Sequence, residues 1–168
     1  MISVFWFRRD LRLDDNHGLY KALSESEQLL PIFIFDENIL NDLENKEDAR
    51  VSFIYQALQK LHKQLQSYHS GLSIFHGDPL SIFKKLNKNY DISCVYCNRD
   101  YEPYARQRDE NVHDYLKSKN IQFKGYKDQV IFEKAEVVKD DGKPYTVFTP
   151  YSKKWKDLFN TRLEKYHN

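Results

Sequence analysis

Five short apolar runs, rich in β-branched and aromatic residues, recur along the chain and are separated by segments with helical spacing. Runs of this length and composition predict β-strands over residues 2–7, 29–35, 72–75, 92–96 and 121–126. Because strands and helices alternate, the pattern predicts an α/β fold in which parallel strands are joined by right-handed helical crossovers. The chain length of 168 residues suits one hydrophobic core of this kind.

The segments between these runs carry helix start signals. Residues 14–16 (Asp-Asp-Asn) supply suitable N-caps for a first helix, and Asp78 precedes a proline suited to the first helical position. Between residues 48 and 68, apolar side chains recur every three or four positions and predict a long helix that faces the core. A further helix is expected to begin near Pro103. We therefore expect a Rossmann-like, three-layer α/β/α fold with a five-stranded parallel sheet in the order 3-2-1-4-5.

The pattern changes after the fifth predicted strand. Two apolar stretches flank Gly142 and predict a hairpin, and Thr149-Pro150 has the residue types of a helix start. We divide the chain into an α/β domain over residues 1–135 and a hairpin with a basic helix over residues 136–168. The final helix carries an apolar stripe that either packs on the body of the protein or docks on a further domain: Trp155, Leu158, Phe159 and Leu163.

Composition narrows the possible functions. The 26 basic and 25 acidic residues nearly cancel to a net charge of +1, so the chain lacks the general positive field of a nucleic-acid-binding protein. No apolar run reaches the roughly 18 residues needed to span a bilayer, so we expect a cytoplasmic, monomeric protein with no membrane contact. Cys94 and Cys97 lie in an apolar run and are expected to be buried hydrophobic residues, and no spacing predicts a metal site.

Charged residues follow three of the predicted strands, within residues 8–16, 36–38 and 98–109. In the expected strand order these three strands are neighbours, and their carboxyl ends would meet at one ligand-binding crevice. The glycine-rich loops that bind phosphates in nucleotide sites are absent. The mixture of carboxylates, arginines and aromatic rings instead suits a planar heteroaromatic ligand. In the alternative interpretation, these charged groups only pair with one another and cap helices.

Residues 6–13 (WFRRDLRL), followed by Asp15-Asn16, closely resemble the opening signature of class I DNA photolyases and cryptochromes. The resemblance continues in the same order over residues 31–40 (PIFIFDENIL), 72–79 (LSIFHGDP), 95–109 (VYCNRDYEPYARQRD) and 144–155 (PYTVFTPYSKKW). The Arg-Arg-Asp form looks more like a cyclobutane-dimer photolyase than a DASH cryptochrome. The resemblance implies the N-terminal α/β domain that holds an antenna chromophore in this family.

In this family, an all-helical domain follows and holds FAD together with the damaged, flipped-out DNA bases. The resemblance therefore implies a light-harvesting domain whose parent, a deoxyribodipyrimidine photolyase, repairs UV-induced pyrimidine dimers with blue light. The present chain contains no catalytic residues of its own under this interpretation, and damaged DNA would bind mainly to the FAD domain. The alternatives are a cryptochrome-type photosensor domain and a stand-alone nucleotide-binding Rossmann-like domain.

The antenna class is indicated by a few positions. Folate-type antennae (methenyltetrahydrofolate) in some relatives use an Asn-Glu pair, and the matching positions here are Tyr104 and Ala105. In relatives with a deazaflavin or FMN antenna, acidic residues after strands two and four face the pigment ring. Asp36, Asp100 and Glu102 match those positions. The resemblance thus favours a deazaflavin or FMN, with three further candidates for contacts to the pigment: Arg9, Asn98 and Tyr104.

Overall fold

The computed structural model of the protein describes residues 1–41, 43 and 48–167, with side chains as far as residue 162. The chain divides into two compact units, residues 1–129 and residues 130–168. The predicted domain boundary after residue 135 falls inside the second unit, because the segment from residue 130 packs with the final helix.

The first unit is built on a parallel sheet of five strands: β1 (Ile2–Phe7), β2 (Leu29–Asp36), β3 (Ser73–Gly77), β4 (Ile92–Asn98) and β5 (Gln122–Tyr126). Its order is β3-β2-β1-β4-β5, and all four neighbouring pairs are parallel, which confirms the predicted topology. The central strand β1 pairs with both β2 and β4, so that Phe5 lies opposite Pro31 on one side and Tyr96 on the other. The strand order reverses between β1 and β4, as expected for a ligand crevice.

Five helices belong to this unit: α1 (His17–Glu25), α2 (Glu37–Asn41), α3 (Ala49–Ser67), α4 (Pro79–Asn89) and α5 (Pro103–Ser118). Asn16 caps α1 by accepting from the backbone N–H of Leu19, whereas Asp48 and Asp78 cap α3 and α4. These caps confirm the helix starts predicted from the sequence. The short helix α2 was not predicted, because it follows β2 without an intervening loop and its five residues are too few to show a helical period.

The two faces of the sheet bury separate hydrophobic clusters, since successive strand residues point to opposite sides. Val4 and Trp6 of β1 lie in one cluster with residues of α4 and α5, whereas Phe5 and Phe7 lie in the other with α1 and α3. The predicted stripe of α3 is confirmed by the burial of three leucines: Leu58, Leu61 and Leu65. These clusters fix the sheet between two helical layers and hold the carboxyl ends of β1, β2 and β4 at one rim.

The two cysteines occupy opposite faces of β4. Cys94 belongs to the cluster with α1 and α3, and Cys97 to the cluster with α4 and α5. Both are free and buried, as the sequence predicted. Burial raises the pKa of Cys97 to about 11, so this thiol stays neutral near pH 7. Among the described residues, no group of three or more His, Cys, Asp or Glu side chains is arranged to hold a metal ion.

The second unit contains a single turn of 3-10 helix (Lys134–Glu136) and α6 (Phe148–His167). The helix begins at Phe148, so Pro150 lies in its first turn, where a missing N–H is tolerated. The hairpin predicted around Gly142 is wrong in part. A turn is present, because the N–H groups of Lys139 and Gly142 donate to Lys143 and Lys139, but no strand extends from it. An isolated two-stranded ribbon is only marginally stable, and the predicted second strand is not buried, since Val147 is 60% exposed and Phe148 is 77% exposed.

Within this unit, Trp155 of α6 packs edge-on against Phe132, with ring centroids 5.5 Å apart, and stacks on Phe159 at 5.1 Å. Arg162 donates to the carbonyl of Ile131 and forms an ion pair with Glu136. Part of the predicted apolar stripe therefore packs on the preceding segment of the same unit. The side chain of Leu163, the last predicted member, lies outside the described residues. No helix in the described part of the chain combines the length and apolarity needed to cross a membrane.

Candidate functional site

A buried polar network joins the loop after β1 to the end of β4. The side-chain amide of Asn98 donates to Asp10 Oδ2 at 2.6 Å and to Asn16 Oδ1 at 2.8 Å, and its oxygen accepts from the backbone N–H of Gly18 at 2.9 Å. Asp10 also accepts from the backbone N–H of Arg8. Asp10, Asn16 and Asn98 are each at most 4% exposed. Such a network holds the loop rigidly, because each buried polar group has a partner.

Two arginines lie over the indole ring of Trp6. The guanidinium carbons of Arg8 and Arg108 are 4.1 and 4.8 Å from the ring centroid. Asp109 pairs with both arginines, at 2.6 Å to Arg8 Nη1 and 3.1 Å to Arg108 Nη2. Although burial lowers the pKa of Arg8, nearby groups including Asp109 and Asp10 hold it above its ordinary value. The Arg8 guanidinium therefore stays charged while it is buried beside the ring.

A cavity of about 690 Å³ opens next to Trp6, at the carboxyl ends of β1 and β2 and the start of α5. Its apolar side is formed by residues of β2, α2, the following linker and α3: Phe33, Phe35, Ile39, Leu40, Leu43, Val51 and Ile54. The polar side of the lining consists of side chains that follow β1, β2 and β4 and of Arg108 on α5, and Arg50 at the start of α3 adds a further charged group. The cavity is thus concave and apolar with a few convergent polar groups, which is the usual character of a small-molecule site.

Arg9 joins two carboxylates on the polar side of the cavity. Its Nε atom lies 3.1 Å from Asp100 Oδ2, and its Nη2 atom lies 2.6 Å from Glu102 Oε1. The Asp100 side chain is 7% exposed, whereas those of Arg9 and Glu102 are more than half exposed. Hydrogen bonding to Glu102 is the leading reason why the pKa of Arg9 is raised. A buried carboxylate with an exposed arginine beside it can accept an N–H or O–H group from a ligand.

Asp36 and Tyr104 connect the end of β2 to the start of α5. The Tyr104 hydroxyl lies 2.9 and 2.8 Å from the two oxygens of Asp36 and donates to that carboxylate. Asn38 donates to the Tyr104 oxygen at 3.1 Å, and Arg108 lies 3.7 Å from Asp36. Burial, followed by the hydrogen bond to Asp36, raises the pKa of Tyr104 to about 12. The phenol is therefore protonated throughout the physiological pH range.

The structure brings five of the six candidate residues to the cavity wall: Arg9, Asp36, Asp100, Glu102 and Tyr104. Asn98 is not among the lining residues, because it lies beneath the rim and all its described amide contacts are with the buried network. The apolar side of the cavity was missed in the sequence. Residues 39–40, which follow the charged end of β2, could have indicated this apolar side, because they place two apolar side chains on α2.

The DNA photolyase family model matches residues 3–167, nearly the whole chain. The chain belongs to the DNA photolyase family. This result confirms the relationship indicated by the opening signature, and it disfavours an unrelated stand-alone nucleotide-binding domain. The predicted fold is also the fold of the family's N-terminal domain.

Three relatives show which members of the family the chain is similar to. A deoxyribodipyrimidine photo-lyase from Synechococcus sp. is 37% identical over 152 residues, which cover 90% of this chain and 31% of that protein. Cryptochrome-1 of Drosophila melanogaster is 32% identical over 146 residues, covering 83% of this chain and 27% of that protein. The solved archaeal photolyase from Sulfolobus tokodaii is 33% identical with a TM-score of 0.70, covering 80% of this chain and 32% of that one.

The chain spans about a third of the length of the curated relatives it matches. The matched part corresponds to the N-terminal, antenna-type domain of photolyases and cryptochromes. The Sulfolobus tokodaii structure contains two FAD molecules and is described as implicating a novel light-harvesting cofactor. That description applies to the archaeal protein. It raises the question of which class of chromophore the cavity of the present chain binds.

Proposed function

We propose that this domain binds a flavin-type chromophore in the cavity and is the light-harvesting domain of a DNA photolyase. The observation that carries the proposal is the cavity itself, with an apolar side from β2, α2 and α3 and a polar side that contains Asp36 and Asp100. Its volume of about 690 Å³ lies within the range of sites that enclose small-molecule ligands. A flavin has the matching character, because one edge of its ring system is apolar and the other bears N–H and carbonyl groups.

The arrangement of the polar side supports a flavin or deazaflavin over a folate. At the two positions where folate-type relatives have Asn and Glu, Tyr104 is engaged with Asp36, and Ala105 is 3% exposed and has no polar side-chain atom. Neither residue supplies the hydrogen-bonding pair of a folate site. Asp100 instead faces the cavity as a buried acceptor for a ring N–H, with Arg9 and Glu102 beside it.

The direct test is a titration of the purified chain with FMN, a deazaflavin and methenyltetrahydrofolate, followed by pigment absorption and fluorescence. We expect one of the flavin-type pigments to bind with micromolar or tighter affinity. Asp100→Ala should weaken this binding about 10- to 100-fold, since a hydrogen bond to a charged group contributes about 1.5–3 kcal/mol. Asp114→Ala is the matched control, because that side chain is 72% exposed and lies outside the cavity wall.

Two outcomes would contradict the proposal. If methenyltetrahydrofolate binds and the flavins do not, the pigment class is wrong. If Asp100→Ala folds and binds the flavin as tightly as Asp114→Ala, then the polar side of the cavity does not recognise the ring. Circular dichroism of each variant separates a loss of binding from a loss of folding.

We further propose that the full-length parent repairs UV-induced pyrimidine dimers with blue light through FAD in a following domain. The identity to a curated photo-lyase supports this activity, whereas the identity to a cryptochrome supports a photosensor as the second candidate. Illumination of dimer-containing DNA with the FAD-loaded full-length protein distinguishes them. Loss of dimers under blue light, with none in the dark, is the expected result. A full-length protein that holds FAD and leaves the dimers intact would favour the photosensor.

A further inference from the structure

Two readily oxidised side chains line the cavity within the described part of the chain, Trp6 and Tyr104. The remaining aromatic residues of the lining are phenylalanines, which are much poorer electron donors. An excited flavin is a strong oxidant and takes electrons from nearby indole and phenol groups. The surroundings of these two residues therefore affect how long a bound flavin can stay excited.

The surroundings of Trp6 oppose its oxidation. Removing an electron from the indole leaves a positive charge on the ring, and the guanidiniums of Arg8 and Arg108 lie 4.1 and 4.8 Å from its centroid. Like charges at this separation repel strongly where water is excluded, and Trp6 is 2% exposed. Asp109 pairs with both arginines, but the contacts over the ring are made by the guanidiniums. Trp6 should therefore be a poor electron donor.

The surroundings of Tyr104 favour its oxidation. Its hydroxyl donates to the carboxylate of Asp36 at 2.8 and 2.9 Å, so a proton acceptor is already in place. A phenol that loses an electron becomes a strong acid, and transfer of its proton to Asp36 leaves a neutral oxygen radical. Arg108 lies 6.0 Å from the Tyr104 ring, but it repels a neutral product little. Asn38 donates to the same phenol oxygen and keeps the hydroxyl aimed at Asp36.

We propose that Tyr104, with Asp36 as its proton acceptor, is the residue that donates an electron to an excited flavin in this cavity, and that Trp6 does not. The electron passes from the phenol to the excited oxidised flavin, while the phenolic O–H bond breaks and a carboxyl O–H bond forms on Asp36. Return of the electron and of the proton restores the starting state. This decay route competes with energy transfer out of the domain. The inference rests on the proposed binding of a flavin.

The test measures the fluorescence lifetime of FMN bound to the wild-type chain and to Tyr104→Phe, which removes only the hydroxyl from a side chain that is 40% exposed. We expect a several-fold longer lifetime in Tyr104→Phe. Deuterium oxide should lengthen the lifetime of the wild type and leave that of Tyr104→Phe unchanged, because a proton moves with the electron. Tyr20→Phe is the matched control, since Tyr20 is 66% exposed on α1 and outside the cavity wall.

The outcomes separate this inference from the proposed function. If FMN binds and the lifetimes of wild type and Tyr104→Phe are equal, the inference is overturned while flavin binding stands. If the lifetime increases in Trp6→Phe instead, Trp6 is the donor and the assignment is wrong. If neither FMN nor a deazaflavin binds the wild-type chain, the inference fails together with the proposed flavin site. The deuterium effect, compared between the wild type and Tyr104→Phe, needs no Trp6 variant, so it tests the assignment even if Trp6→Phe does not fold.

Discussion

Replacing Asn98 by alanine tests whether this residue supports the fold or contacts the pigment. The change removes two donated hydrogen bonds, to Asp10 and Asn16, and the acceptor of the Gly18 N–H. Asp10 and Asn16 keep other described partners, but the Gly18 N–H lies in the first turn of α1, where no helical carbonyl can accept it. With about 1–3 kcal/mol for the orphaned N–H and about 2 kcal/mol for the lost hydrogen bond to the charged Asp10, we expect destabilisation of about 3–5 kcal/mol.

Urea unfolding measures this change. The chain contains two tryptophans, so in a Trp155→Phe background the fluorescence of Trp6 reports the unfolding of the first unit alone. With a denaturant slope of about 2 kcal/mol per molar urea, the midpoint should fall by about 1.5–2.5 M while the slope stays constant. Asn89→Ala is the control, because Asn89 is exposed at the end of α4, and its effect should stay within about 0.5 kcal/mol.

The same variant also carries a functional readout. Below its unfolding transition, Asn98→Ala should bind FMN nearly as well as the wild type, since Asn98 is not part of the cavity wall. The reasoning would be refuted by the opposite combination, in which stability is unchanged and FMN affinity falls by an order of magnitude. Asn98 would then be a ligand-contacting residue, and the buried network would not depend on its amide.

Three further predictions concern single side chains. Gly18→Ala should destabilise the first unit by about 1–3 kcal/mol, as measured by urea unfolding, because the added Cβ would lie 2.5 Å from Asn98 Oδ1. An equal or higher stability would mean that α1 can shift freely. Asp78→Ala removes the cap of α4, and its midpoint should reflect a loss of about 1 kcal/mol. The absorbance of the Tyr104 phenol is obtained by subtracting the spectrum of Tyr104→Phe from that of the wild type, and it should titrate near pH 12. A midpoint near the ordinary value of 10 would contradict the contact with Asp36. Because the folded pKa is raised, the associated stability is present below pH 10 and is lost as the pH rises towards 12.

The topology could be predicted because each predicted strand is a short apolar run and each helix except α2 carries a cap or a proline at its start. Asp78 caps α4 as the sequence indicated, and α3 buries its predicted leucine stripe. The hairpin at Gly142 could not be predicted correctly from its turn residues alone. A turn fixes the direction of the chain, but a ladder also needs an apolar face that is buried, and Val147 and Phe148 after the turn are exposed.

The sequence predicted the position of the site at the carboxyl ends of the strands, but only some of the side chains that form the cavity wall. Parallel strands bring their carboxyl ends together, and this rule placed Arg9, Asp36 and Asp100 at one crevice. The alternative interpretation, mutual pairing of charges, is also realised: Arg9 pairs with Asp100, and Arg8 pairs with Asp109. Some of these charged residues face the cavity and others are buried beneath it, depending on the direction of each side chain. No pattern in the sequence predicts that direction.

The residues of the opening signature mainly stabilise the loop after β1. Asp10 and Asn16 form hydrogen bonds within the protein, and Arg8 pairs with Asp109. Arg9 extends towards Asp100 and Glu102 at the cavity wall. A match to this signature therefore identifies the loop geometry and leaves the pigment undetermined. Because the buried network fixes the rim, a change of pigment class requires changes in the side chains that stand on it, at the ends of β2 and β4 and the start of α5. Asp36, Asp100 and Tyr104 are the positions on the cavity wall where such changes would act.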